Sequence, residues 1–103
     1  MAESPQVAEE TIDIETAGGS ASVRMLGATI VSMHIRGDAA AEYQWDVRRR
    51  GGEWIENVGS EHTGSADYDD TMRTGMATVR IRCSSGSGGV GDEATITLSA
   101  GGG

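Results

Sequence analysis

The side chains with catalytic or ligand-binding chemistry are few in this chain, and they are widely spaced. The single cysteine, Cys83, and the two histidines, His34 and His62, do not cluster. A zinc site needs about three or four such ligands at workable spacing, so this set predicts none. Serines are plentiful, but no Gly-x-Ser-x-Gly elbow lies between a strand and a helix, and no glycine-rich loop precedes a helix. The sequence therefore predicts no enzyme and no cofactor.

The densest group of potential cation ligands is the acidic cluster of Asp67, Asp69 and Asp70, next to Tyr68. Calcium takes about six to eight oxygen ligands, often from acidic side chains on a loop. The cluster lacks the glycine and the distal glutamate of an EF-hand loop. Two interpretations are open: a solvated acidic loop, or a weak site for a divalent cation or hydrated sodium.

The charged residues are unusual in kind as well as in number. The chain has 16 acidic and 8 basic residues, which gives a net charge of −8, and every basic residue is arginine. Non-specific nucleic-acid or anionic-membrane binding needs a basic field, so neither partner is expected. Concentrated salt screens carboxylate repulsion, and arginine is less strongly hydrated than lysine. A GC-rich genome would also favour arginine, but it does not explain the acidic excess, so a haloarchaeal or halophilic origin is indicated.

The elements that hold these residues are predicted to be short strands. A chain of 103 residues forms one domain with one core. Apolar and polar residues alternate with period two in several segments, and no long 3.6-residue apolar repeat occurs. Glycine-rich turns separate the segments, including a two-residue hairpin signal at Gly51-Gly52 and a long irregular stretch at 59–71. About seven antiparallel strands are expected, with 1–10 as an N-terminal arm or edge strand, 11–100 as the sandwich and 101–103 as a glycine tail.

Two core positions sharpen this expectation. Trp45 lies in the middle of an alternating strand, and Cys83 ends another 38 residues later. Met33 stands where a first cysteine would be, and Ile81 where a tyrosine would be. This pattern resembles an immunoglobulin-like β-sandwich that lacks the family's disulfide. The resemblance implies a binding or assembly module, a type that includes add-on domains of tailed-virus heads, tails and fibres.

The resemblance implies that four of the arginines lie on one face of a sheet, because the family's strands C and F are neighbours in the same sheet. Arg48 and Arg50 would then lie on the outer face of strand C, and Arg80 and Arg82 on that of strand F. Three interpretations are open: cross-strand pairing with Asp46, Glu42 or Glu53, docking of an acidic protein partner, or nucleic-acid contact.

The large aromatic residues are the other candidates for partner binding. If Trp45 belongs to the core, either Trp54 or Tyr68 is available as an interface hot spot, and Trp54 could instead complete the core. Cys83 is expected to be a small buried residue, since alternation sends Arg80 and Arg82 to the opposite face.

These expectations together favour a non-enzymatic virion structural protein of a haloarchaeal tailed virus. The first expectation is a capsid decoration or turret component that binds the major capsid protein or other virion proteins, as a homo-oligomer or in many copies. The alternatives are a tail or fibre subunit, or a receptor- or carbohydrate-binding surface module that uses Trp54, Tyr68 and the 59–71 stretch. Because the start of the chain lacks an apolar signal region and no apolar run could span a membrane, the expected site is the virion, after synthesis in the host cytoplasm.

Overall fold

The computed structural model describes residues 6–37, 39–64 and 67–101, with side chains except at residues 60–64 and 67. These residues form eight antiparallel strands in two sheets, so the predicted all-β sandwich is confirmed. Nothing in the described part of the chain is a helix that could cross a membrane. The strands are β1 (Gln6–Asp13), β2 (Ser20–Arg24), β3 (Ile30–Gly37), β4 (Ala41–Arg48), β5 (Trp54–Gly64), β6 (Asp67–Arg73), β7 (Thr78–Ser85) and β8 (Glu93–Gly101).

The chain is arranged as one long antiparallel ribbon that is folded over on itself. Strand β1 pairs with β8, β2 with β7, β3 with β6, and β4 with β5. Two further pairings, β3 with β8 and β4 with β7, join the ribbon into sheets of order β1-β8-β3-β6 and β2-β7-β4-β5. This nested order is that of a jelly-roll sandwich.

The strand order differs from the one that the immunoglobulin-like resemblance implies. In that family the strand after F lies beside F, in the same sheet as C. Here β4 and β7 hold the places of C and F and do pair, but β8 lies in the opposite sheet, between β1 and β3. The positions of Trp45 and Cys83 correctly indicate that β4 and β7 are neighbours. Alternation within a strand, however, does not indicate which of the two sheets β8 joins.

The core lies between the two sheets and is built from the predicted inward positions. Tyr43, Trp45 and Val47 of β4 are buried, and so is Cys83 of β7. Ala77, which the alternation through Val79 and Ile81 would also place inward, is partly exposed. Alternation identifies these positions because successive side chains of a strand point to opposite faces. The other members of the buried apolar cluster are Ile12, Ile14, Ala21, Val23, Met25, Val31, Met33, Ile35, Ala41, Val79, Ile81, Ala94, Ile96, Leu98 and Ala100.

The expected irregular stretch at 59–71 is wrong. Most of it belongs to β5 and β6, each of which forms an edge of its sheet. Strand β5 bulges against β4, where Asn57 and Gly59 have φ values of 60° and 76°. A bulge inserts extra residues into a strand and so interrupts the alternation by which strands are recognised. This is why the sequence indicates fewer strands than the structure contains.

The hairpin predicted around Gly51-Gly52 is present between β4 and β5, but its predicted two-residue loop is wrong. The connection between β4 and β5 covers residues 49–53, and within it the Gly52 N–H donates to the Arg49 carbonyl at 2.9 Å. Gly51 has a φ of 73°, which favours glycine. At the chain ends, β1 begins at Gln6 and β8 ends at Gly101. The rest of the expected arm and tail, residues 1–5 and 102–103, lies outside the described residues.

Candidate partner-binding site

A cleft of about 710 Å³ lies at one end of the sandwich. Backbone hydrogen bonds hold its walls together: the Met25 N–H donates to the Ala77 carbonyl at 2.8 Å, and the Ala77 N–H donates to the Arg48 carbonyl at 3.0 Å. The cleft is therefore built on strand ends that are fixed to one another. Its walls come from three connections, residues 25–29, 49–53 and 74–77, together with the strand ends beside them.

Four arginines line this cleft: Arg24 at the end of β2, Arg48 at the end of β4, and Arg49 and Arg50 in the following connection. Among the described residues that line it, none carries a carboxylate. Arg24, Arg49 and Arg50 are exposed, and none of them forms an ion pair with another described residue. We call this site the arginine cleft. It joins Arg48 and Arg50, which the sequence singled out, to Arg24 and Arg49, which it did not.

The charged residues that the structure describes are unevenly distributed between the two ends of the sandwich. Arg73, which pairs in register with Ile30, lies at the same end as the arginine cleft. That end therefore holds five of the eight arginines, with Glu53 as the acidic residue of the 49–53 connection. The opposite end holds Arg36 and a group of acidic residues: Asp13, Glu15, Asp92 and Glu93.

Arg80 and Arg82 serve a different purpose, because both are paired with Asp46. The Asp46 Oδ2 atom accepts hydrogen bonds from Arg80 Nε at 2.7 Å and from Arg82 Nε at 2.9 Å. The Asp46 side chain is fully buried, and those of Arg80 and Arg82 are 18% and 19% exposed. For these two arginines, cross-strand pairing is the interpretation that the structure supports. The expected four-arginine stripe is thus split into a structural pair and the arginine cleft.

The bulge in β5 completes the Asp46 network. It brings the backbone N–H of Asn57 within 3.0 Å of Asp46 Oδ1. The Asn57 side-chain oxygen accepts from Arg82 at 2.7 Å, and Glu56 accepts from Arg80 at 3.2 Å. Both oxygens of the buried carboxylate are therefore satisfied, and each arginine has a second partner.

The pKa of Asp46 is lowered by this network. Burial by itself raises the pKa, and it is the largest single influence. This effect is outweighed by hydrogen bonds from Arg82, Arg80 and the Asn57 backbone and by the charge of Arg82, so the pKa of Asp46 is lowered. Asp46 therefore remains ionised, and together with Glu56 it balances the charges of the two arginines.

Trp54 lies on the outer face of the β2-β7-β4-β5 sheet and does not complete the core. The guanidinium carbons of Arg80 and Arg48 lie 4.1 Å and 4.7 Å from the centroid of its ring. Such cation–π contacts hold both side chains against the indole. Trp54 thus links the Asp46 network to the arginine cleft, and its ring positions Arg48 at the edge of that cleft.

Tyr68 lies in the other sheet, on β6, where it pairs in register with Ile35 and packs against the core. Trp54 is on β5 of the opposite sheet, so the structure does not bring the two aromatic residues together. A combined aromatic binding surface with the 59–71 stretch is therefore not formed by the described side chains.

The acidic cluster falls on a strand, so its carboxylates diverge. Asp69 lies on the outer face, with Oδ1 at 2.6 Å from His34 Nδ1. Asp70 points the other way and accepts a hydrogen bond from the Trp45 indole N–H at 3.0 Å. The side chains of Asp67 and His62 lie outside the described residues. Among the side chains that are described, no three metal-binding groups lie together.

The buried pair of Tyr43 and Cys83 lies in register on β4 and β7. Both are fully buried, as predicted for Cys83. Burial raises the pKa of the Cys83 thiol, and burial together with the Cys83 charge raises the pKa of Tyr43 to about 12. Cys83 is therefore a core residue and not a reactive thiol.

Sequence reasoning missed two features of the arginine cleft. The run Arg48-Arg49-Arg50 precedes Gly51 in the sequence, but Arg49 and Arg50 lie in a turn, where the alternation of a strand does not hold. Arg24 enters the cleft because β2 and β4 both flank β7, with Arg24 and Arg48 opposite Thr78. No local pattern in the sequence indicates that juxtaposition.

Comparisons with known proteins support the fold. No protein-family model and no curated protein sequence matches this chain. The crystal structure of the SPBc2 prophage-derived protein YomS is similar over 97% of each chain, with a TM-score of 0.66 and 13% identity. PirA is similar over 96% of each chain, with a TM-score of 0.50 and 14% identity. A mutant of the carbohydrate-binding module CBM29-2 matches 82% of this chain and 63% of its own, with a TM-score of 0.49 and 13% identity.

Proposed function

We propose that this chain is a non-enzymatic structural protein of a virus particle, located in the virion as a capsid decoration or turret component of a haloarchaeal tailed virus. The observation that carries the proposal is the division of charge along the sandwich. Five arginines lie at one end of a chain whose net charge is −8, and four of them line a cleft that has no carboxylate among its described lining residues. A surface of this kind suits attachment by one end to an acidic protein.

The fold supports the same proposal. Jelly-roll sandwiches build viral capsid domains, although the same fold also serves lectins, so the fold alone does not decide the function. The similarity to the prophage-derived YomS covers nearly all of both chains, which supports a small phage-type β domain. The composition supports a host that lives in concentrated salt, because acidic, lysine-free proteins suit such conditions.

The proposed mechanism is repeated attachment. Many copies bind equivalent sites on the major capsid protein or another virion protein, and each copy buries a modest surface. Because the sites are repeated and neighbouring, the attached copies stabilise the shell by mass action, as any ligand that binds the assembled state alone does.

The test is quantitative mass spectrometry of virions that have been purified through a density gradient in molar salt. We expect the chain in the particle fraction, in a fixed ratio to the major capsid protein, and in the heads after heads and tails are separated. Recovery in the tail fraction would support the tail or fibre alternative instead. Absence from washed particles would show that the chain is not a virion component.

A further inference from the structure

We propose that the arginine cleft binds an acidic segment of a partner protein that also places an apolar side chain against Leu26. The inference deepens the proposed function, because it takes the partner to be a protein of the particle and names the chemistry of the contact. Two independent features of the cleft carry it: the unpaired arginines and the conformation of Leu26.

The arginines define the charge of the ligand. Arg24, Arg49 and Arg50 are exposed and have no acidic partner in the described part of the chain, although acidic residues outnumber basic ones two to one. A guanidinium group binds a carboxylate through two parallel hydrogen bonds, and four of them in one cleft suit several carboxylates. The volume of about 710 Å³ lies within the range of ligand clefts, about 300–1,000 Å³, and accommodates a few side chains of a peptide.

Leu26 defines the apolar part of the ligand. It lines the cleft, its side chain is 58% exposed, and its φ is 47°. A side chain with a Cβ is disfavoured in this left-handed region, where glycine or asparagine is the usual residue. The chain therefore accepts an unfavourable backbone conformation and an exposed leucine at the same position. Strain of this kind is associated with binding sites, where a partner compensates for it.

The surroundings of Leu26 extend this apolar surface into the cleft. Ala28 and Met76 line the cleft and also pack against the core, so they form a fixed apolar part of its wall. Methionine adapts readily to different apolar groups. A segment that alternates acidic and apolar residues would match both parts of the cleft, whereas a purely ionic ligand would leave Leu26 uncovered.

The rest of the molecule favours an acidic protein segment over nucleic acid. The net charge of −8 repels a long polyanion that extends beyond the cleft. Binding through phosphates is also lost steeply as salt rises, whereas apolar burial persists or strengthens. At molar salt the screening length is about 3 Å, so direct guanidinium–carboxylate contacts remain while long-range attraction is removed.

The experiment uses the purified chain and a fluorescein-labelled peptide of alternating glutamate and leucine residues. Fluorescence anisotropy measures the dissociation constant in low and in molar potassium chloride. We expect Arg49→Gln combined with Arg50→Gln to weaken binding at least tenfold, since each lost charge-assisted hydrogen bond has a substantial effect. The control, Arg36→Gln at the opposite end, removes one arginine charge where the double variant removes two, and it should leave the affinity within about twofold.

Leu26→Asn separates a binding role from a structural one. Asparagine tolerates the left-handed conformation better than leucine, so the thermal midpoint should stay the same or rise. The peptide should nevertheless bind several-fold more weakly, and the loss should be greatest in molar salt. A lower thermal midpoint with unchanged peptide affinity would show that Leu26 acts in folding, and would overturn its assigned role.

Three other results would overturn the inference. The first is no binding of the peptide by the natural chain. The second is tighter binding of a single-stranded oligonucleotide of similar length. The third is self-association that Arg49→Gln and Arg50→Gln abolish, because a second copy would then occupy the cleft. The virion analysis is independent of these measurements. If the chain is found in the particle but does not bind the peptide, only the inference about the arginine cleft is refuted. If it binds the peptide but is missing from particles, the proposed function is refuted.

Discussion

Asp46 decides how the arginines of this protein are divided. It is fully buried, yet it contacts two arginines and a backbone N–H, so the cost of burying its charge is offset by four hydrogen bonds. Arg80 and Arg82 are thereby assigned to the framework. Trp54 then lies against Arg80 and Arg48, which connects that framework to the arginine cleft.

Asp46→Asn should destabilise the fold by about 3 kcal/mol, because two mostly buried guanidinium groups lose their shared counter-charge. Chemical denaturation at neutral pH measures the effect. Asp69→Asn is the matched control: the Asp69 side chain is 77% exposed, so its pair with His34 contributes little. Equal effects of the two substitutions would show that the Asp46 network does not stabilise the fold.

The lowered pKa of Asp46 predicts the direction of the acid response. A carboxyl whose pKa is depressed in the folded state stabilises the fold above its unfolded value, near pH 4, and this contribution is lost as the pH falls through the folded value. The free energy of unfolding of the natural chain should therefore decrease below about pH 4. In Asp46→Asn that part of the decrease should disappear, and a decrease of the same size in both chains would contradict the assignment.

Tyr43 predicts the alkaline response in the same way, with the opposite sign. Its pKa is raised to about 12, so the unfolded chain loses this proton near pH 10 while the folded chain keeps it. Stability should fall between about pH 10 and pH 12, a range in which no lysine titrates because the chain has none. Tyr43→Phe should reduce that slope in denaturation curves, and an unchanged slope would show that other groups cause it.

At the level of elements, strand β5 determines what the outer face of its sheet can hold. Its bulge positions the Asn57 backbone N–H for Asp46 and the Asn57 side chain for Arg82. The φ of 60° at Asn57 is a conformation that asparagine accepts and β-branched residues avoid. One residue therefore meets both a backbone and a side-chain requirement.

Asn57→Gly and Asn57→Val separate these two requirements. Glycine keeps the left-handed backbone and loses the Arg82 hydrogen bond, whereas valine loses the hydrogen bond and strains the backbone as well. We expect valine to be less stable than glycine by about 1–2 kcal/mol in thermal or chemical denaturation. Equal stability of the two variants would indicate that β5 changes its register and removes the bulge.

Sequence reasoning succeeded where one physical rule decides the outcome. Val31, Met33 and Ile35 are buried because a half-buried strand alternates, and the same rule placed Cys83 in the core. It failed at Asn57 and Gly59, where bulges break the alternation, and in the choice of sheet for β8. The arginine cleft was found only in part, since its residues converge through pairings between strands that are distant in the sequence.

At the level of the whole molecule, the net charge of −8 should make stability depend on salt. Acidic residues gather at the end opposite the arginine cleft, where Asp13 and Glu93 are paired in register and repel each other. Potassium chloride screens this repulsion, with a Debye length that falls from about 10 Å at 0.1 M to about 3 Å at 1 M. The thermal midpoint should therefore rise with potassium chloride over this range.

Two variants with opposite charge changes test whether this acidic end is the cause. Asp13→Asn removes one negative charge and keeps a side-chain oxygen as the acceptor that Asp13 offers to the Glu15 N–H. This variant should be more stable than the natural chain at low salt and should gain less from added salt. Arg36→Gln, at the same end, makes the net charge more negative and should gain more. If all three chains respond equally, the salt response comes from apolar burial and not from the charge division.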